Sequence, residues 1–250
     1  VSNDVARAST TAAVYAALLT PQGKFLHDMF ILARDDSFLI DCEAERADDL
    51  LRRLAGYKLR AKVTCDDLRG TMSVWAAWDS PMPDGNFYVD PRLPAMGQRA
   101  FAPSGQLSGL ETADFPAYDA HRLALGVADG SHDMKTGDAT LAEGNFDLLN
   151  GIDWKKGCYV GQELTARMHY RGLAKKRLFP VRVEGAMPPP ESALWLDGME
   201  KGEMRSARGL AGLAVLNIDA ARQSVEENRP FVWENSQIFP FWPDWMPQKG

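Results

Sequence analysis

The chain changes character after Lys175-Lys176-Arg177. Downstream, Leu178 to Val183, Ala193 to Leu196, Gly209 to Asn217 and Pro230 to Trp233 are short, strand-like runs broken by Pro and Gly. Short strands at close spacing bury their apolar faces by pairing with one another. The pattern therefore predicts a separate small β-domain, of barrel type, from about residue 177.

Upstream the pattern is mixed. Thr11 to Leu19, Thr20-Pro21-Gln22-Gly23 and Lys24 to Leu32 read as strand, turn and strand. Pro at the second turn position and Gly at the fourth suit a type I turn. Phe38 to Asp41 predicts a third strand. Leu50, Leu51 and Leu54 give Ala44 to Leu54 an amphipathic helical period, with Gly56 as its expected stop. Val63 to Cys65 and Met72 to Trp78 predict two more strands. Residues 79–109 read as loop, with a short strand at Phe87 to Val89. Tyr118 to Leu125 predicts a helix, 126–157 a long loop, and Gly161 to Tyr170 a helix with Gly172 just past its end.

The 250 residues are 45% hydrophobic and 25% charged, which supports a sizeable core in one large domain or two to three small ones. A formal net charge of −6 argues against a generally basic nucleic-acid binder. The three cysteines, Cys42, Cys65 and Cys158, show no C-x-x-C spacing. They read as free thiols of a reducing compartment rather than a disulfide framework or zinc site. No apolar run reaches the ~18 residues that span a bilayer, so no membrane partner is expected. No signal peptide is visible, and the first residue is Val1, so the natural start is expected further upstream.

Cys158 sits in Lys156-Gly157-Cys158-Tyr159-Val160-Gly161-Gln162-Glu163, beside Lys155 and at a helix start. Helix N-termini and cations lower a thiol pKa from about 8.5. Glycines permit backbone geometries that a β-carbon resists. Glu163 in the first turn complements the helix dipole. The plain alternative is a loop cysteine in a tight turn. His132 and His169 are candidate bases that spacing alone does not bring to the thiol. Arg167, Arg171, Lys175, Lys176 and Arg177 form either a solvated face or an anion site.

Asp28 interrupts an otherwise apolar run. With period two it shares a face with Leu26, Phe30 and Leu32. A buried carboxylate needs a partner or a cavity. The two readings are a hydrogen-bonded structural acid and a carboxylate at a ligand pocket.

These residues carry a resemblance. Lys156 to Glu163 is similar to the K-G-C-[FY]-x-G-Q-E signature of the YgfZ family, folate-binding proteins related to the glycine-cleavage T-protein and implicated in iron–sulfur cluster assembly and repair. Ser2-Asn3-Asp4-Val5, Leu18 to Lys24, His121 to Val127 and His169 to Gly172 resemble further family segments, so the likeness spans essentially the whole chain. It implies an α+β fold: a T-protein-like folate-binding region of two related subdomains over 1–176, its first strand and helix preceding Val1, and a C-terminal β-barrel domain over 177–250.

For function, the resemblance implies a folate-binding accessory factor in iron–sulfur cluster assembly, the alternative being a tetrahydrofolate-dependent aminomethyltransferase-like enzyme. Cys158 and Asp28 are the implied reactive residues. Asp28, Arg122, Lys156, Gly157, Tyr159, Gly161, Gln162, Glu163, Arg167 and Arg171 are the implied cofactor-binding residues, with no resident metal site. T-proteins carry R-[IL]-E where this chain has Arg122-Leu123-Ala124, one pterin acceptor fewer. The implied ligands are tetrahydrofolate or a derivative and a transient cluster shared with a partner, because one cysteine falls short of the usual four ligands. The implied partners are iron–sulfur assembly or client proteins. The expected location is the cytoplasm of a bacterium or the mitochondrial matrix of a eukaryote.

Overall fold

A computed structural model describes residues 1–80, 87–103 and 112–248. Strands β1 (Val14–Leu19), β2 (Phe25–Arg34) and β3 (Ser37–Cys42) form an antiparallel sheet with β2 in the middle. The Gly23 N–H donates to the Thr20 carbonyl at 2.9 Å, closing the β1–β2 turn. Every residue of β1 is buried, because alternate side chains enter two cores. Tyr15, Ala17 and Leu19 join one, and Val14, Ala16 and Leu18 the other. The second core lies against helix α1 (Ala47–Lys58) through Leu50 and Leu54.

Helix α1 runs through Gly56, contrary to the expected stop. A side chain at Gly56 would meet nothing, and the chain leaves the helix at Leu59 with φ +49°. Val63 to Cys65 forms no strand. That exposed triplet finds no partner, and three β-prone residues cannot pair alone. Strands β4 (Met72–Ala77), β5 (Phe87–Val89) and β6 (Gln98–Pro103) form a second antiparallel sheet in the order β4-β6-β5. Here β6 corrects the loop expected over 79–109. Helix α2 (Phe115–Leu125) starts three residues before the predicted Tyr118, capped by the Asp114 carboxylate on the Ala117 N–H. The expected loop of 126–157 holds one short helical turn, α3 (Gly130–Asp133), and folds back into the core through Leu141, Phe146 and Leu149. Helix α4 (Gln162–Tyr170) follows, as predicted.

Strands β7 (Lys176–Glu184), β8 (Ala193–Leu196), β9 (Met199–Arg208), β10 (Ala211–Asn217), β11 (Phe231–Trp233) and β12 (Ser236–Pro240) close into an antiparallel barrel. Strand alternation joins the barrel to the rest of the molecule. Phe179, Val181 and Val183 point into the barrel core, whereas Leu178 joins the core of Tyr15 and Phe146. In β10, Ala214 and Leu216 face inward, while Leu213 and Val215 face that shared core. Helix α5 (Ile218–Glu227) packs Ala220 and Ala221 against the barrel interior. No helix of the described residues is long and apolar enough to cross a membrane.

Candidate functional site

The predicted residues fall into two separate places. The first is a cleft of about 330 Å³ between the two sheets and α2. Strand β2 brings Asp28 and Phe30 to it, as the period-two reading predicts. The Tyr15 hydroxyl donates to Asp28 Oδ2 at 2.9 Å. Tyr15 is fixed by stacking on Phe146, with ring centroids 4.9 Å apart. Burial raises the Asp28 carboxyl to about 6, against the opposing pull of the Tyr15 hydrogen bond and of Arg92. This acid changes charge near neutrality.

Sequence reasoning missed most of the remaining cleft. Arg92 is paired with Asp90 at 2.8 Å and lies over the Phe30 ring at 4.8 Å. Arg99, 4.1 Å over the same ring, pairs with Asp41. Both guanidinium groups also reach the Tyr118 hydroxyl, at 3.1 and 3.2 Å. Glu43 accepts from the Ser131 hydroxyl at 2.7 Å and from its N–H at 3.1 Å. Glycine suits position 130, where φ is +46° and a β-carbon would crowd the Glu43 carboxylate at 2.9 Å and Asp28 Oδ1 at 3.3 Å. Trp75 and Trp78 add aromatic surface, and the buried Trp75 Nε1 has no hydrogen-bond partner. Cys42 also lines the cleft, its thiol pushed up to about 11 by burial and neighbouring carboxylates. The available signals were a tyrosine inside apolar β1, an aspartate inside β3 and the Asp90-Pro91-Arg92 spacing. None shows its partner without the strand register.

Arg122 is buried away from the cleft lining. It donates to Asp119 at 2.8 Å, to Asp133 at 2.7 Å and to the Val127 carbonyl at 3.2 Å. Ala124, the position of the missing family acid, faces solvent. The predicted Arg122 segment is thus a structural ion-pair network, not a wall of the cleft.

The second place is the Lys156–Glu163 loop, none of whose residues lines the cleft. Cys158 is exposed. Lys156 Nζ is committed to the Val1 and Asn3 carbonyls, at 3.0 and 2.8 Å. The N-terminal segment is therefore tied to the loop. Ser2 and Asn3 extend this tie: Ser2 Oγ donates to the Gly151 carbonyl at 2.6 Å, and Asn3 Nδ2 to the Tyr15 and Asn150 carbonyls. Tyr159 packs partly buried against the shared core.

Gly161 precedes α4 with φ +84°, where a β-carbon would lie 2.5 Å from the Thr20 carbonyl oxygen and 2.9 Å from Gly23 Cα. The hairpin turn and the cysteine loop thus meet glycine to glycine. Gly157 carries no such demand, since a β-carbon there meets nothing within 4 Å. Gln162 and Glu163 form the first turn of α4, and Arg167 and Arg171 are exposed on and after its last turn. Arg177 leaves the proposed basic cluster to pair with Asp147 at 2.6 Å. His169 stacks on Trp154, with ring centroids 3.8 Å apart. Among the described residues no group of three His, Cys, Asp or Glu side chains could hold a metal ion.

Similarity to known proteins follows the same division. The structure resembles the glycine cleavage system aminomethyltransferase T of Bartonella henselae, with a TM-score of 0.62 at 12% identity, over 95% of this chain and 76% of that one. Residues 175–248 match the family model described as the CAF17 C-terminal beta-barrel domain. The class is therefore an aminomethyltransferase-like fold ending in a CAF17-type barrel.

The curated relatives include the mitochondrial iron-sulfur cluster assembly factor IBA57 homolog of Mycosarcoma maydis. It is 36% identical over 216 residues, covering 78% of this chain and 54% of the relative. The human mitochondrial factor IBA57 is 34% identical over 233 residues, covering 81% of this chain and 64% of the relative. The chain spans about half the length of the first curated relatives it matches. Over most of its length the chain is similar to the IBA57-type assembly factors, and over its last strands to the CAF17 barrel family.

Proposed function

We propose that this protein is an iron–sulfur cluster assembly factor that binds a reduced folate in the Asp28 cleft and works through Cys158 on a separate loop. The observation that carries the assembly role is the likeness, over most of the chain, to proteins named iron-sulfur cluster assembly factor IBA57. Its partners are then iron–sulfur assembly or client proteins, and in a eukaryote its place is the mitochondrial matrix, since those relatives are named mitochondrial.

The cleft suits a reduced folate's ring. Aromatic side chains offer stacking surface, Asp28 and its neighbouring acids accept N–H donors, and the unpartnered Trp75 Nε1 offers a donor in return. Asp28, Phe30, Trp75 and Glu43 are the residues that would hold it. Cys158 supplies one exposed thiol. A cluster handled there is cargo and draws its remaining ligands from a partner or a small thiol.

Calorimetric titration with tetrahydrofolate tests the ligand. Micromolar binding to the wild type, weakened tenfold or more by Asp28→Ala, is expected. Equal binding by both proteins would remove Asp28 from the site. For the assembly role, Cys158→Ala should fold normally and fail to restore [4Fe–4S] enzyme activity in cells lacking their own IBA57-type factor.

A further inference from the structure

The stretch that carries Cys158 has a charge opposite to that of the whole chain. From Trp154 to Lys176 there are six cations, Lys155, Lys156, Arg167, Arg171, Lys175 and Lys176, and one acid, Glu163, in a chain of formal net charge −6. Lys156 is committed to backbone carbonyls. The other five are exposed, and among the described residues their side chains make no hydrogen bond or ion pair. Such freedom is uncommon in this molecule. Fourteen of its eighteen arginines meet a carboxylate, and the four that do not are Arg34, Arg60, Arg167 and Arg171. A cation without an internal partner directs its field outward, toward whatever approaches.

Helix α4 sets two of these arginines on one outward stripe. Glu163, Arg167, Tyr170 and, at the C-cap, Arg171 follow at helical spacing and are all exposed. The inner side of the helix is Thr165, which is buried, and Leu164, which lies against Gly23. Trp154 stacks on His169 and meets Tyr170 edge-on with ring centroids 6.3 Å apart, so the stretch leading to Cys158 starts beside the last turn of α4. Apolar groups are exposed on the same stretch: Tyr170 at 71%, with Val160 and Leu173. Arginine and tyrosine beside exposed apolar side chains are what protein interfaces are enriched in. We propose that the outward face of α4 and the adjoining Cys158 loop dock an acidic face of a partner protein. This rests on the reading of the protein as an assembly factor acting through Cys158, and it names the chemistry of that partner. Opposite charges steer the encounter and fix its register, while Tyr170, Val160 and Leu173 are buried by it. A protein fits better than a nucleic acid. Phosphates offer Val160 and Leu173 nothing, Glu163 stands within the stripe, and the chain is acidic elsewhere.

The experiment supplies full-length variants, at matched protein levels and with unchanged Tm, to cells lacking their own IBA57-type factor. Arg167→Glu with Arg171→Glu should restore [4Fe–4S] enzyme activity at least fivefold less well than wild type. Arg34→Glu with Arg60→Glu, the same charge change at the other two unpaired arginines, should restore it as wild type does. Arg167→Lys with Arg171→Lys keeps the charge and should stay within twofold of wild type. A benzophenone photo-crosslinker in place of Tyr170 should join the chain to a protein through a peptide rich in Asp and Glu, and the Arg167→Glu, Arg171→Glu change should abolish that adduct. Equal restoration by the two glutamate variants would overturn the proposal, as would a lysine variant as poor as the glutamate one. So would an adduct that ribonuclease removes, or one that joins two copies of this chain. If wild type restores nothing, the assembly-factor reading falls and the proposal with it; if wild type and both glutamate variants restore equally, that reading stands and the docking face alone is wrong.

Discussion

Asp28 keeps a carboxyl in a place that opposes its charge, and that has a cost in stability. Burial raises its pKa from 3.8 to about 6. One pKa unit corresponds to about 1.4 kcal/mol, so ionising Asp28 in the folded chain costs about 3 kcal/mol relative to the unfolded one. The sign follows from proton counts. Between pH 3.8 and about 6 the folded chain keeps a proton that the unfolded chain has released, so this group's contribution falls as pH rises and levels off above about 6.

Asp28→Asn removes the charge while retaining an oxygen that accepts from Tyr15. The variant should match the wild type near pH 4 and exceed it by about 2–3 kcal/mol at pH 8. For a chain of this size that is about 4–12 °C in Tm. Thermal unfolding of both proteins, followed by circular dichroism from pH 4 to 8, reads the difference. A gap that does not change with pH, or a variant less stable at pH 8, would refute the reasoning. Stability gained on neutralising an acid is the behaviour expected where function retains a strained group.

Other predictions concern the loop and the ion pairs. Gly161→Ala should cost at least about 2 kcal/mol in chemical denaturation, because its β-carbon meets the Thr20 carbonyl oxygen at 2.5 Å with φ at +84°. Gly157→Ala should stay within about 0.5 kcal/mol of wild type. Arg122→Met leaves the Asp119 and Asp133 carboxylates buried without this partner and should cost about 3–5 kcal/mol, far more than Arg167→Met on the exposed face of α4. Timed alkylation at pH 8 with peptide mapping should label Cys158 and Cys65 well before Cys42, which is half-buried with its thiol at about 11.

The parts legible in the sequence were those with a local period or turn chemistry. The β1–β2 hairpin, the strand of Met72 and four barrel strands show apolar runs bounded by Gly or Pro, and the helix ending at Tyr170 is bracketed by Gly161 and Gly172. Strand β9 was not legible, because one of its inward positions is Gly202, where a β-carbon would strike Leu216 Cδ2 at 2.3 Å. A glycine filled by its neighbour's side chain leaves no apolar mark. Strand β6 hides behind Arg99, whose main ion-pair partner is Asp41, 58 residues away in sequence.

The site divides in the same way. Asp28 stood out because an acid in an apolar strand requires a reason. Tyr15, its hydrogen-bond donor, looked like ordinary β-strand filling until the strands were in register opposite each other. The resemblance implies a cofactor-binding role for Arg122, in a segment that lacks the family's acid at Ala124. The structure pairs that arginine with Asp119, one helical turn before it, and with Asp133, which the chain brings back beside the helix.

We propose that the exposed thiol and the acid-lined cleft serve one assembly activity from separate places. It is tested most directly by measuring [4Fe–4S] enzyme activity in cells lacking their own IBA57-type factor and supplied with wild type, Cys158→Ala or Asp28→Ala at matched protein levels. Wild type should restore activity, Cys158→Ala should restore none and Asp28→Ala should restore part of it. Full restoration by Cys158→Ala would contradict it.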